Sequence, residues 1–117
     1  MVGGSVVDEA RARSAAAGLF RSLGDPARLA ILQRLALGEQ RVVELTAWLG
    51  LAQSTVSGHL ACLRNCGLVV SRPQGRASLY ALARPEVLEL VTAAGQVLAV
   101  TGDAAGACPG YGERAAR

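Results

Sequence analysis

The sequence predicts a single, mainly α-helical domain with one small β-hairpin. Two observations lead to this prediction. Apolar residues recur at helical spacing up to Cys66, and two short stretches of a different periodicity then precede a last helical segment. Hydrophobic residues make up 51% of the 117 positions but aromatic residues only 3%, so leucine, valine and alanine must supply the core, which favours helices packed on helices.

The first two helices are separated by a strong helix-start signal. A helix is predicted over Val6–Leu23, with an apolar stripe in its C-terminal half. Asp25 then suits the N-cap, where its carboxylate accepts a backbone N–H, and Pro26 suits the first helical position, where no N–H is needed. The second helix is expected to end at Gly38.

Two further helices follow in close succession. A short helix is predicted over about Val42–Leu49 and ends at Gly50, and the next helix spans Ala52–Cys66. Gly67 comes directly after it, and glycine readily adopts the left-handed backbone conformation that terminates helices. The sequence therefore predicts a supporting helix, a tight turn and a longer second helix.

The periodicity changes after Gly67. Residues 68–72 and 77–83 are predicted to form two strands, with a turn between them at Pro73-Gln74-Gly75. A short helix, a turn, a second helix and a hairpin follow one another in a winged helix-turn-helix. In that fold the second helix enters the major groove of DNA, and the hairpin, or wing, lies beside it.

The C-terminal part completes the predicted architecture. Pro85 begins a last helix that runs to about Val100. Residues 1–101 are thus expected to form a winged helix-turn-helix domain for DNA binding and dimerisation, and residues 102–117 a flexible tail. The outer helices carry more apolar surface than so small a core can use, so a homodimer with two recognition helices is expected.

Charge is distributed unevenly along the chain. The net charge is only +3, but no aspartate or glutamate occurs between Leu45 and Pro85. The arginines of that segment are Arg64, Arg72, Arg76 and Arg84. A basic segment without acids that coincides with the predicted DNA-binding elements indicates double-stranded DNA as a partner.

The predicted recognition helix carries short polar side chains near its N-terminus. Such groups reach base edges or phosphates, and glutamine can pair bidentately with adenine. The candidate DNA contacts of the helix are Gln53, Ser54, Thr55, Ser57 and His59. The alternatives are that Ser54 only caps the helix and that His59 is a plain surface residue.

In the wing, Arg72 and Arg76 are candidates for backbone or minor-groove contacts, although a solvated hairpin would tolerate the same arginines.

Cys62 and Cys66 lie four residues apart in the same predicted helix, on one flank of its apolar face. Side chains at this spacing have Cβ atoms about 5–6 Å apart. An unstrained disulfide needs roughly 3.5–4.5 Å. The spacing suits two thiolates that converge on one large ion, so the pair is a candidate metal site. Half-buried structural cysteines are the alternative.

A site with two thiolates needs a further ligand. Cys108, in the predicted tail, is the remaining cysteine and the candidate, with a stray tail thiol as the alternative. Three sulfur ligands favour soft ions such as Cd(II) or Pb(II), and As(III) is chemically possible. Zinc more usually completes a tetrahedron with histidine or a fourth cysteine, so the single histidine, His59, stays a candidate fourth ligand.

Three motifs connect these observations with a known family. The segment LGDPARLAILQRL, the helix QSTVSGHLACLRNC and the wing GLVVSRPQGRASLYAL together resemble the ArsR/SmtB family of metal-sensing repressors, over about residues 23–82. Within the family the chain is similar to the cadmium/lead sensors. These place two ligands in the recognition helix, matching Cys62 and Cys66, and a third in the C-terminal tail, matching Cys108 in type. The resemblance implies a homodimer that holds its operator when metal-free and releases it on binding metal.

The chain departs from other branches of that family. Relatives that sense metal through the supporting helix carry Cys-x-Cys after Glu-Leu, but here Glu44-Leu45 is followed by Thr46-Ala47-Trp48. Relatives that sense zinc through the last helix use aspartate and histidine there, but residues 86–100 contain no histidine. The resemblance therefore leaves the cysteine pair as the expected sensing site.

The combined expectation is a cytoplasmic, metal-responsive transcriptional repressor. The alternatives are a thiol-redox or persulfide-responsive repressor of the same fold, and a metal-binding protein that does not bind DNA. Neither an enzyme nor an organic cofactor is expected, because the sequence shows no His–carboxylate–nucleophile constellation and no phosphate-binding glycine loop. No membrane association is expected, because no apolar run approaches a membrane span and the first residues lack the features of a signal peptide.

Overall fold

The computed structural model describes residues 6–101, with side chains up to residue 99. Within this range the chain forms five α-helices and three β-strands. In chain order they are α1 Val6–Leu23, α2 Pro26–Leu35, β1 Gln40–Arg41, α3 Val42–Leu49, α4 Gln53–Asn65, β2 Val69–Gln74, β3 Ala77–Leu82 and α5 Glu86–Thr101. The predicted winged helix-turn-helix order is confirmed. The chain divides into two units, Met1–Arg84 and Pro85–Arg117, and α5 belongs to the second.

Local signals set the start of α2 and the end of α4 as the sequence predicts. Asp25 Oδ1 accepts hydrogen bonds from Ala27 N at 2.8 Å and Arg28 N at 3.1 Å, which caps α2. Gly67 follows α4 with a φ of 77°, in the left-handed region where glycine pays no steric penalty. The helix α2 ends at Leu35, earlier than predicted, and turns continue the chain to Gly38.

The sheet differs from the predicted hairpin in two ways. It has a third strand, β1, which pairs with β3, and the strand order is β1-β3-β2 with antiparallel pairs. Two residues are too few to produce a recognisable periodicity. Pro73 and Gln74 belong to β2 rather than to the turn, because Gln74 is opposite Ala77. β2 is an edge strand, where a proline without an N–H is tolerated.

The core of the first unit joins α4 to its neighbours. The inward face of α4, formed by Val56, Leu60 and Leu63, is fully buried. The largest fully buried side chains are Ile31, Leu32, Leu45, Leu60, Leu63, Val56 and Val69. These residues come from α2, α3, α4 and β2, so α4 is held on several sides. No helix among the described residues has the length and apolar character required to cross a membrane.

Candidate nucleic-acid interface and thiol pair

The N-terminal turn of α4 is exposed. Its N-cap is Ala52, in extended conformation and without a side-chain cap. The alternative that Ser54 only caps the helix is therefore wrong, because Ser54 lies inside the first turn. The side chains exposed here are Gln53, Ser54, Thr55 and Ser57. Four of the predicted DNA contacts thus lie together at one end of the helix, where a base edge or a phosphate can reach them.

His59 lies further along α4 and faces the start of α2. Its side chain is 19% exposed, with Nε2 3.9 Å from Asp25 Oδ1. Its Nδ1 is 3.4 Å from Arg28 Nη1. Both ring nitrogens therefore have neighbours within the protein, so His59 differs from the outward-facing residues of the first turn. Its role as a DNA contact stays a prediction.

Arg28 connects α1, α2 and α4. Its Nε donates to the backbone oxygen of Ser22 at 2.6 Å, and its Nη2 donates to that of Arg21 at 3.1 Å. These carbonyls lie in the last turn of α1, where a cation stabilises the negative end of the helix dipole. Because the same guanidinium also contacts His59, Arg28 links the end of α1 with the middle of α4.

Cys62 and Cys66 occupy the other end of α4. Cys66 N donates to Cys62 O at 3.1 Å, so the helical hydrogen-bond pattern continues through the C-cap and the two residues are one turn apart. Both thiols are free, with Cys62 half-buried and Cys66 exposed. Two sulfur donors at this spacing fit part of a site for a soft cation.

The described residues alone do not complete such a site. Within residues 6–101, no three His, Cys, Asp or Glu side chains form a group that could hold a metal ion. His59 is therefore not brought together with Cys62 and Cys66 as a fourth ligand. Cys108, the predicted third ligand, lies outside the described residues. A complete thiolate site requires a donor from there or from a second chain.

Ser22 contacts the thiol pair from α1. Its Oγ is 2.8 Å from Cys66 Sγ, and either atom can donate the hydrogen bond. The same hydroxyl donates to Gly18 O at 3.2 Å. Ser22 is buried, with 6% of its surface exposed. The sulfur of Cys66 is thus joined to the last turns of α1, a contact that the sequence does not suggest because the residues are 44 positions apart.

The two wing arginines differ in their surroundings. Arg72 Nε donates to Glu39 Oε2 at 2.9 Å, and its Nη2 donates to Glu39 Oε1 at 2.8 Å. The hydrogen bond from Arg72 lowers the pKa of Glu39 below its ordinary value, and the same bond raises the pKa of Arg72. Arg76 is exposed in the turn between β2 and β3. Sequence reasoning missed Glu39 because it lies outside the acid-free segment.

Comparison with known proteins identifies relatives among transcriptional regulators. Residues 25–71 match the family described as bacterial regulatory protein, arsR family. The chain is 39% identical to a probable mercury resistance operon repressor of Streptomyces lividans over 98 residues, which cover 81% of this chain and 78% of that protein. It is 53% identical to the regulator CmtR of Mycobacterium tuberculosis over 70 residues, but these cover only 60% of this chain and 59% of CmtR.

Solved structures agree with the sequence relatives. The chain is similar to a homodimeric winged helix-turn-helix DNA-binding domain from Mycobacterium bovis, whose structure was determined in solution by NMR. The TM-score is 0.70 at 32% identity, and the match covers 87% of this chain and 93% of that domain. The agreement in fold and sequence extends beyond the 47 residues of the family match, from 25 to 71, to most of the chain.

Proposed function

Since the chain belongs to the ArsR family of bacterial regulatory proteins, we propose that it is a metal-responsive transcriptional repressor of the bacterial cytoplasm. The metal-free protein binds operator DNA as a homodimer and releases it when Cys62, Cys66 and Cys108 bind Cd(II) or Pb(II). Residues 1–101 form the DNA-binding and dimerisation domain, and residues 102–117 form the tail that supplies Cys108. The main support is that two free thiols lie one turn apart on the helix that exposes the polar turn.

DNA contact is assigned to two surfaces of the first unit. The first turn of α4 contributes base and phosphate contacts, and the wing contributes backbone contacts. The assigned residues are Gln53, Ser54, Thr55, Ser57, His59, Arg72 and Arg76. Family membership speaks against the alternative of a metal-binding protein that does not bind DNA.

A homodimer is supported by apolar surface on the first and last helices. In α1, Phe20 is 59% exposed, and in α5, Leu90 and Leu98 are among the exposed large apolar residues. A second copy that covers such surface removes it from water and places two copies of α4 on two half-sites of an operator. The homodimeric relative from Mycobacterium bovis has the same fold.

Release of DNA requires that the two ends of α4 be coupled. A bound soft cation supplies the charge that holds several thiolates together. As a metal-bound thiolate, Cys66 could only accept a hydrogen bond, so the single hydroxyl hydrogen of Ser22 would be contested by Cys66 Sγ and Gly18 O. The change occurs at the end of a helix of 13 residues, about 20 Å from its first turn. A coupling of roughly 1–3 kcal/mol is ordinary for allosteric proteins.

The decisive experiment replaces the helix thiols one at a time. Cys62→Ser and Cys66→Ser should keep wild-type affinity for a duplex selected by the wild-type protein from a random pool, but should lose release by Cd(II). Asn65→Ala, an exposed change on the same turn, is the control and should keep both properties. Sulfur-to-cadmium charge-transfer absorbance of wild type and Cys108→Ser counts the thiolates at the ion. Full release of DNA by Cd(II) from both helix variants would contradict the assigned site.

A redox response is the second candidate, because Cys66 presents an exposed free thiol. Its partner would be Cys108, since residues four apart on a helix are too distant for an unstrained disulfide. Titration of DNA release with Cd(II) under reducing conditions, and separately with an oxidant or a persulfide donor, separates the two functions. Release only by the oxidant or the persulfide donor would favour the redox candidate over the metal sensor.

A further inference from the structure

Arg72 of the wing forms an ion pair with Glu39 that has the geometry of an arginine–phosphate contact. Glu39 meets the guanidinium of Arg72 with both carboxylate oxygens, at 2.9 and 2.8 Å. Two parallel hydrogen bonds from a planar fork are also the arrangement with which arginine binds phosphate. Glu39 therefore occupies donors of Arg72 that a DNA phosphate would use.

The sheet places Glu39 beside the wing. Glu39 directly precedes β1, and in the sheet Leu79 of β3 is opposite Arg41 of β1 on one side and opposite Arg72 of β2 on the other. Residues directly opposite one another in neighbouring strands point to the same face. An open cleft of about 640 Å³ adjoins this face, lined by Glu39, Arg41, Glu44, Arg72, Gln74 and Leu79. An anion from outside the protein can therefore approach Arg72.

We propose that Glu39 competes with DNA phosphate for Arg72 and so limits the contribution of the wing to DNA binding, an inference that rests on the proposed function. The competition is close because both side chains are exposed, Arg72 to 59% and Glu39 to 41%. Exposed ion pairs are weak and screened by salt, so a phosphate displaces the carboxylate at little cost. The displaced carboxylate then lies beside the phosphate and repels it.

Arg76 provides the contrast within the same wing. Among the ion pairs of residues 6–101, Arg72 and Arg41 each have a carboxylate partner, whereas Arg76 takes part in none. A phosphate contact by Arg76 needs no exchange of partners. Glu39 should therefore influence DNA binding through Arg72 and leave the contribution of Arg76 unchanged.

The chain offers a matched control in Glu44. It forms an ion pair with Arg41 at 3.6 Å and is 44% exposed, so Glu44→Gln and Glu39→Gln remove the same charge from the same cleft. Glu44 also accepts a hydrogen bond from Arg41 N at 2.8 Å, and the amide oxygen of glutamine can keep this cap. Only Glu39→Gln removes the charge that holds Arg72.

The test measures binding of metal-free full-length protein to a fluorescent duplex of arbitrary sequence, because phosphate contacts do not depend on sequence. Glu39→Gln should bind more tightly than Glu44→Gln at low salt. Its plot of log affinity against log salt should be steeper by about 0.9, the value for one more phosphate. Between 50 and 200 mM salt its advantage should therefore shrink by roughly three- to four-fold.

Arginine variants identify the residue through which Glu39 acts. The gain from Glu39→Gln should disappear in an Arg72→Gln background and persist in an Arg76→Gln background. Equal slopes for Glu39→Gln and Glu44→Gln, or an equal gain in both arginine backgrounds, would overturn the inference. Thermal melts of each variant confirm that folded proteins are compared. A wild-type protein that binds no duplex would contradict the proposed function itself, and this result is distinct from binding without an effect of Glu39.

Discussion

The two ends of α4 are held in different ways. At the N-terminal end Gln53, Ser54 and Thr55 are exposed, and the helix begins without a side-chain cap. At the C-terminal end Cys66 contacts Ser22 of α1. The helix is thus open at the end that would meet DNA and tied to α1 at the end that would meet a metal ion. Val56 is buried at the N-terminal end as well, so the two ends differ in their polar side chains, which are exposed at the first turn and contact α1 at Cys66.

The largest expected effect comes from the core residue that joins the two ends. Leu60 has no exposed surface, and Leu60→Ala should lower the free energy of unfolding by about 2–5 kcal/mol through lost burial and a cavity. Urea denaturation measures the change, with the exposed substitution Asn65→Ala as control. If Leu60→Ala cost no more than its control, α4 would not be anchored through this face.

The next largest effect is on DNA affinity and concerns only the exposed N-terminal end of α4. Gln53→Ala should weaken binding to the selected operator by about 1–3 kcal/mol, because one bidentate base contact is lost. Fluorescence anisotropy measures operator and arbitrary duplexes in parallel. Gln74→Ala, which removes the same side-chain type from β2, should not change discrimination between them. An equal loss of affinity for both duplexes in Gln53→Ala would show that Gln53 contacts only the backbone.

A smaller effect is expected at the C-terminal end of α4, where Cys66 contacts Ser22. Ser22→Ala removes the hydroxyl that contacts Cys66, and we expect a loss of about 1 kcal/mol in unfolding free energy. Binding of Cd(II), followed by charge-transfer absorbance against a competing chelator, should weaken by about ten-fold, as expected for a lost partner of a ligand. Ser14→Ala, an exposed change in α1, is the control. Unchanged Cd(II) affinity in Ser22→Ala would separate α1 from the sensing site.

The smallest effect concerns the two arginines of the wing. Arg72 forms an ion pair with Glu39, whereas Arg76 has no carboxylate partner among residues 6–101. Arg72 lowers the pKa of Glu39, so this pair stabilises the fold above the ordinary glutamate pKa of 4.5 and ceases to do so as the pH falls through the lowered value. The difference in unfolding free energy between wild type and Glu39→Gln should therefore shrink from neutral to acidic pH. A difference that grows on acidification would contradict the sign of the shift.

Most of the fold could be predicted from the sequence, because its signals are local. The cap at Asp25, the stop at Gly67 and the apolar face of α4 each depend on residues within a few positions of one another. The strand β1 was missed because it has two residues. The turn of the wing was placed too early because proline usually marks a turn, whereas Pro73 lies in an edge strand.

The candidate site was predicted less completely. The exposed first turn of α4 and the one-turn spacing of Cys62 and Cys66 follow from helix geometry, which the sequence pattern specifies. The neighbours of these groups do not follow from it. Ser22 approaches Cys66 from 44 positions away, and Arg28 approaches His59 from 31 positions away. No local pattern predicts such pairs.

The sequence by itself determined the order of elements, the polar first turn of α4 and the cysteine pair, because backbone preferences and helical periodicity act over a few residues. The tertiary structure alone decided which of these side chains form hydrogen bonds or ion pairs with distant residues. It turned His59 toward α2, joined Cys66 to Ser22 and gave Arg72 a carboxylate partner 33 residues away. Contacts of this kind depend on how α1, α2, α4 and the sheet pack against one another, and packing brings together residues that are distant in the chain.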